Sequence, residues 1–211
     1  MSDMELREFR ISDVRRVRDM FCEAFELDCY SKSRFVMRHL LDHYLCGYLM
    51  EADYAVTMRS GNETTGFLLG CSEKRRGRSI YRFLRAYHRA FLPLFRGGRA
   101  YMRCKKLIED ADSSMRSKAP SPESELILFV VRSDLRGRGE GCRLLMEFRN
   151  WLVENNVKNM QLFTDDYCDV DYYRERGYTQ LGVRHIEFAP GIDSYFYLFS
   201  IPVEEIGKHR K

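Results

Sequence analysis

The sequence has no apolar run approaching the roughly 20 residues that span a bilayer, so no transmembrane segment is expected. Its first residues, Met1-Ser2-Asp3-Met4-Glu5, are polar and acidic and do not fit a secretory leader. No C-x-x-C pair occurs. The seven cysteines (Cys22, Cys29, Cys46, Cys71, Cys104, Cys142 and Cys168) are odd in number and irregularly spaced, and no His stands at zinc-site distance from a cysteine pair. Reduced, partly buried thiols in a cytoplasmic protein are the expectation. The five histidines form no cluster. His39 and His43 have a metal-ligating i, i+4 spacing without a third ligand, so no metal is expected. Internal repeats are absent as well.

The most informative absence is acidic. From Lys74 to Ile108 there is no Asp or Glu, yet 12 Lys and Arg fall in those 35 positions. The other 176 positions carry 23 basic and 31 acidic residues, so the overall charge of +4 conceals a mildly acidic protein with a basic insert. At 45% apolar and 31% charged, the composition is that of a folded chain. Its length suits one domain over 1–211, with the insert, 74–124, inside it.

Residues 5–10 read as a strand. Ser12 reads as the N-cap of an amphipathic helix over 13–26, with Asp13 in its first turn. A second helix is expected over 33–50. The runs 54–59 and 64–71 flank Ser60-Gly61-Asn62-Glu63 and read as a hairpin. In the insert, Ile80, Phe83, Leu84, Tyr87 and Phe91 recur at helical spacing. Pro93 and Gly97-Gly98 read as interruptions, 100–111 as another helix, and 113–124 as a loop. Leu126–Val131 is continuously apolar, as for a strand buried on both faces. A glycine-rich turn then opens a helix to about Glu154. A strand over 160–164, a short helix over 169–176 ending at Gly177, and strands over 178–188 and 195–203 complete the pattern. This order implies a mixed α/β sheet with helices on both faces and a helical insert.

The chemistry is concentrated at Arg136-Gly137-Arg138-Gly139-Glu140-Gly141. A buried strand runs into alternating glycines and then a helix, whose first N–H groups and positive dipole end suit a phosphate. The dinucleotide fingerprint fails, because Cys142 stands where Gly or Ala belongs, and the Lys-Ser/Thr of a P-loop is missing.

With these residues the sequence resembles the GNAT superfamily of acyl-CoA-dependent N-acetyltransferases. The family's R/Q-x-x-G-x-G/A turn is matched by 136–141, and its Glu-Leu-x-x-Leu-x-Val strand by 125–131. Its aromatic-Tyr-x-x-x-Gly-Phe box is matched by Tyr172, Tyr173, Gly177 and Tyr178. The resemblance implies a mostly antiparallel sheet with a splayed central parallel pair, and acetyl-CoA as co-substrate with an amine acceptor. It places Phe129, Val130 and Val131 along the pantetheine arm and the backbone of Arg136, Gly137, Arg138, Gly139, Glu140 and Gly141 on the diphosphate. Two departures stand out. Asp166 occupies a cofactor-arm position where the family often has Asn, and 74–124 replaces a short link, as in a subgroup with a helical segment there.

The reaction implied is direct attack by a primary amine on the thioester in a ternary complex. It requires a deprotonated amine, a donor for the oxyanion and a proton for the departing thiolate. The backbone N–H of Val131 is the expected oxyanion donor. Tyr173 is the expected acid, its phenol near pKa ~10 matching a thiolate, with aromatic packing as the plain alternative. Glu125 is the expected base, directly or through a water, with a strand-end ion pair as its alternative; Glu123 and Asp165 stand behind it. A non-catalytic acyl-CoA-binding, nucleic-acid-docking or membrane-docking module on the same fold is the competing function.

Four roles are open for the basic insert: a solvated face, a lid with Tyr81, Phe83, Tyr87, Phe91, Phe95 and Tyr101 lining the acceptor pocket, a contributor to CoA binding, or a polyanion-docking element. Nucleic acid is not the favoured partner, and a homodimer is left open.

Overall fold

The computed structural model describes residues 4–72, 79–168 and 170–208. Lys74, Arg75, Arg76 and Arg78 of the basic insert, the expected helix start at Asp169, and His209 lie outside the described residues.

Seven strands form one sheet: β1 (Met4–Glu8), β2 (Tyr54–Ser60), β3 (Glu63–Ser72), β4 (Ser124–Val131), β5 (Asn159–Asp165), β6 (Thr179–Ala189) and β7 (Ile192–Pro202). Their order is β1-β2-β3-β4-β5-β7-β6. Every neighbouring pair is antiparallel except β4 and β5. Among the described residues six α-helices accompany them: α1 (Asp13–Ala24), α2 (Arg34–Glu51), α3 (Ser79–Phe91), α4 (Arg96–Arg116), α5 (Glu140–Glu154) and α6 (Val170–Glu175). The expected mixed α/β architecture is therefore present.

Strand alternation, shifted by an irregularity at Ile127 where Leu69 pairs with Leu128 and Gly70 with Leu126, divides β4 between two cores. Leu128 and Val130 pack with Val17, Phe21, Leu40 and Leu45 of α1 and α2. Leu126 and Val131 pack with Leu144, Phe148 and Leu152 of α5. Burial of both faces explains why this segment is continuously apolar.

Three local readings are corrected. Ser12 has helical backbone angles and makes no capping hydrogen bond. Asp13, fully buried, instead reaches back to the chain before the helix: its Oδ2 accepts from the Arg10 N–H at 2.9 Å and its Oδ1 pairs with Arg7 at 2.8 Å and Arg16 at 3.1 Å. Gly97 and Gly98 do not interrupt a helix but lie in the first turn of α4. They are there for close approach. A Cβ on Gly97 would stand 2.2 Å from the Tyr30 carbonyl oxygen, and one on Gly98 would stand 2.1 Å from that of Leu92. Finally, α4 continues to Arg116, so part of the expected 113–124 loop is helical.

The insert is built onto the core by its two helices. His88 of α3 meets His39 of α2 through their Nδ1 atoms at 2.9 Å, and Tyr101 of α4 hydrogen-bonds His43 Nδ1 at 3.1 Å. Burial holds the pKa of His43 down to about 3, with Arg85, Lys105 and Arg89 adding to it. His39 and His88 are lowered as well, chiefly by burial, against the opposing pull of Asp42. The i, i+4 histidines thus face hydrogen-bond partners, and no three-residue metal-binding group occurs among the described residues. At the far end, Met115 of α4 packs with Ile186, Phe196 and Leu198 of β6 and β7.

Candidate active site

The parallel pair makes an opening. Its register holds only for Glu125 with Gln161 and Leu126 with Leu162. Past Leu126, β4 continues to Val131 paired with β3 alone, and β5 continues to Asp165 paired with β7 alone. The two strands part, and a cleft lies between them. Leu126–Phe129 form one wall and Leu162–Asp165 the other, with Cys168 and Tyr173 at the end of β5 and Phe25, Tyr44, Tyr48 and Ile108 against it from the helices. Tyr44 and Tyr48 stack at 5.0 Å, and Lys105 Nζ of α4 lies 4.6 Å from the Tyr44 ring centre.

The glycine turn leaves the end of β4. Arg136 Nε donates to the Val131 carbonyl at 3.2 Å, anchoring the strand end. Gly137 and Gly139 have φ of 75° and 88°, the left-handed region that side chains resist. An added Cβ at either would meet nothing within 4 Å, so the surface over them is open. Gly141 differs: its Cβ would stand 3.0 Å from Phe129 Cζ, so this glycine lets α5 pack closely on β4. Two glycines shape the turn and one seats the helix. Arg136 and Arg138 are exposed beside the first turn of α5, whose leading N–H groups have no intrahelical acceptor.

Tyr173 lies on α6 in the cleft wall. Tyr172, Tyr178 and Phe199 surround its ring at 5.4, 5.2 and 5.8 Å between centres. Its carbonyl accepts from the N–H of Arg176 at 3.2 Å and of Tyr178 at 3.1 Å. The box around Gly177, whose φ is 81°, thus folds back on this tyrosine and fixes it.

Asp165 ends β5 in the same wall. Burial raises its pKa above the usual carboxylate range, against the Cys168 thiol, which hydrogen-bonds the carboxylate and opposes the shift. Its Oδ1 is buried and has no hydrogen-bond partner. The Cys168 thiol is itself pushed up to about 11 by burial and by Asp165. Nothing in the sequence sets Cys168 apart; its place follows from the turn after β5.

The other sequence-selected acids lie around the cleft rather than in its wall. Glu125, 8% exposed, pairs with Arg116 Nη1 at 3.1 Å, and Arg116 Nε pairs with Asp112 at 2.7 Å. Arg116 was missed because the sequence places it in a loop, where its i, i+4 relation to Asp112 carries no weight. Glu123 accepts from the Lys158 N–H at 2.8 Å, a bond that lowers its pKa, and ties β4 to the turn before β5. Asp166 turns to β7, accepting from Ser194 Oγ and from the Tyr195 N–H at 3.1 Å. Val130 and Val131 are buried in the two cores, so only their backbone is available to a ligand. None of Tyr81, Phe83, Tyr87, Phe91, Phe95 and Tyr101 lines the cleft. The insert reaches it through Ile108 of α4.

Among solved structures, the ribosomal-protein-S18-alanine N-acetyltransferase from Escherichia coli superposes with a TM-score of 0.55 over 95% of this chain and 94% of its own, at 9% identity. Ard1 from Thermoplasma volcanium gives 0.53 over 94% and 97%, at 14% identity. FeeM, an N-acyl amino acid synthase from uncultured soil microbes, gives 0.57 over 97% and 93%, at 11% identity. The fold is that of the GNAT N-acetyltransferases. No family model and no curated protein sequence matches the chain. Within this fold, the open glycine turn follows β4, the strand that forms one wall of the gap.

Proposed function

We propose that the protein is an N-acetyltransferase that moves the acetyl group of acetyl-CoA to a primary amine of a small acceptor, by direct attack with both substrates bound. The observation that carries this reading is the parting of β4 from β5 beneath an open glycine turn, with Tyr173 and Asp165 in the walls of the gap.

The residues present fit CoA. Along the Phe129–Val131 stretch the β5-side edge has no strand partner, so the backbone groups that turn away from β3 can meet the amides of a pantetheine arm, the Val131 carbonyl being shared with Arg136 Nε. The backbone of Arg136–Gly141 has open space over Gly137 and Gly139 for a diphosphate. Asp166, bound to β7, steadies the turn that carries α6. No metal enters the proposal. The seven cysteines form no disulfide, which suits a reducing, cytoplasmic setting.

Acetyl-CoA, when bound, supplies an acyl group activated as a thioester. The chain's own groups handle the protons. Asp165 accepts one from the amine through its unpartnered Oδ1, in a wall where burial makes it a stronger base than an ordinary carboxylate. The amine nitrogen bonds to the carbonyl carbon, the C–S bond breaks, and Tyr173 gives its phenolic proton to the departing sulfur. The apolar rings of Phe25, Tyr44 and Tyr48 limit water in the gap. Glu125 is the alternative proton acceptor, since it stands at the last register pairs before the strands part. The pH–rate profiles of Asp165→Asn and Glu125→Gln separate the two, because only the true acceptor's loss removes the acidic limb.

The test of function is release of free thiol from acetyl-CoA against a panel of primary amines. Amine-dependent release supports catalysis; saturable acetyl-CoA binding with no release for any amine supports a non-catalytic binding module.

A further inference from the structure

Helix α3 is apolar on two sides. Its inner side carries the buried Tyr81 and His88. Its outer side carries Phe83, 72% exposed, with Tyr87 at 57% and Ile80 at 51%; Leu94, just beyond, is 69% exposed and Phe35, from the start of α2, is 50% exposed. Tyr87 and Phe35 are joined through further rings. Phe91 lies 5.2 Å from Tyr87 and 6.0 Å from Phe35, and Phe95 lies 5.8 Å from Phe35. Exposed large apolar side chains gathered at one corner around such a ring cluster mark an interaction surface.

Helices α3 and α4 carry exposed arginines. Arg82, Arg89, Arg96, Arg99 and Arg103 are all exposed, and none of them is paired with a carboxylate among the described residues. Arg96, Arg99 and Arg103 line one groove on α4 with Pro93 and Met102. Arg99 also donates to the Pro93 carbonyl at 2.8 Å, holding the groove against the α3–α4 corner. The first acidic residue after this stretch is Glu109.

We propose that the α3–α4 corner docks the protein onto an anionic phospholipid surface, with Phe83, Tyr87, Ile80 and Leu94 entering the interfacial layer and the arginines meeting the headgroup phosphates. Aliphatic and aromatic wedges beside arginine are the pattern of interfacial docking. The described helices are not long and apolar enough to cross a bilayer, so the contact is on the surface. A second copy of the patch would bring one set of arginines against another. A nucleic acid would satisfy the arginines and leave Ile80 and Leu94 in water. This surface is separate from the cleft, so the proposal stands independently of the acyl-transfer reading.

The experiment is co-sedimentation of the full chain with vesicles of phosphatidylcholine alone and of phosphatidylcholine with about one third phosphatidylserine. Binding is expected only to the anionic vesicles, weakening as salt rises. Phe83→Ser/Tyr87→Ser should bind about tenfold or more weakly, and Arg96→Gln/Arg99→Gln/Arg103→Gln should lose the preference for phosphatidylserine. All five residues are exposed, and unchanged circular-dichroism melting of both variants confirms that the loss is local. Failure to bind anionic vesicles overturns the proposal. So does equal binding by either variant. Two further outcomes also overturn it: salt-sensitive binding of a duplex oligonucleotide without vesicle binding, and dimerisation in sedimentation equilibrium that the Phe83→Ser/Tyr87→Ser change abolishes.

Discussion

Asp165 and Glu125 are separated by environment rather than by type. Glu125 has a guanidinium partner at 3.1 Å, whereas Asp165 has a buried oxygen with no partner. A carboxylate held in that state costs stability when charged. Because its folded pKa is raised, proton binding favours the folded form: its relative contribution is most favourable below the ordinary carboxylate range and is lost as pH rises through the raised value. Asp165→Asn should therefore raise the melting temperature at pH 7, and the gain should vanish in acid. The same variant should lose most of its activity. A variant that is both destabilised at pH 7 and fully active would remove the proton-acceptor role. The sequence ranks Glu125 first because motif position is visible in it. The ion pair with Arg116 is not, since it depends on where α4 ends.

The elements of the sheet are readable because hydrophobic periodicity and turn residues fix them locally: the β2–β3 hairpin, α5 and the β4 run all follow that pattern. The α3–α4 corner is harder to read, because its glycines serve packing rather than turning. Gly97→Ala puts a methyl 2.2 Å from the Tyr30 carbonyl oxygen and should destabilise by about 1–3 kcal/mol in urea unfolding. A neutral result would show that α4 can move away from Tyr30. The α2–α3–α4 seam adds a pH dependence. His43 stays neutral in the fold down to about 3, whereas an exposed histidine takes a proton near 6.5. Its depressed folded value means that stability is held above about pH 6.5 and lost progressively as pH falls toward 3. His43→Gln, which keeps a polar partner for Tyr101, should flatten that acid loss in melting curves recorded from pH 7 to 4. An unchanged slope would place the acid sensitivity elsewhere.

Across the whole molecule, two separable surfaces stand apart, one in the sheet and one on the insert helices. The cleft lies where β4 and β5 part, and α4 reaches it through Ile108 while its C-terminal Arg116 pairs with Glu125. The arginine-bearing apolar corner lies at the other end of α4, in the stretch without acidic residues. Charge segregation in the sequence locates the insert, but which of its residues face the cleft and which face solvent depends on how α3 and α4 pack on α2, and composition is silent on that. The proposed reaction is acyl transfer in the β4–β5 gap with Tyr173 as its proton donor. Its most direct test is the steady-state kinetics of Tyr173→Phe with an accepted amine. A fall in kcat of about 100-fold or more with the KM for acetyl-CoA nearly unchanged is expected; an unchanged kcat would contradict that role.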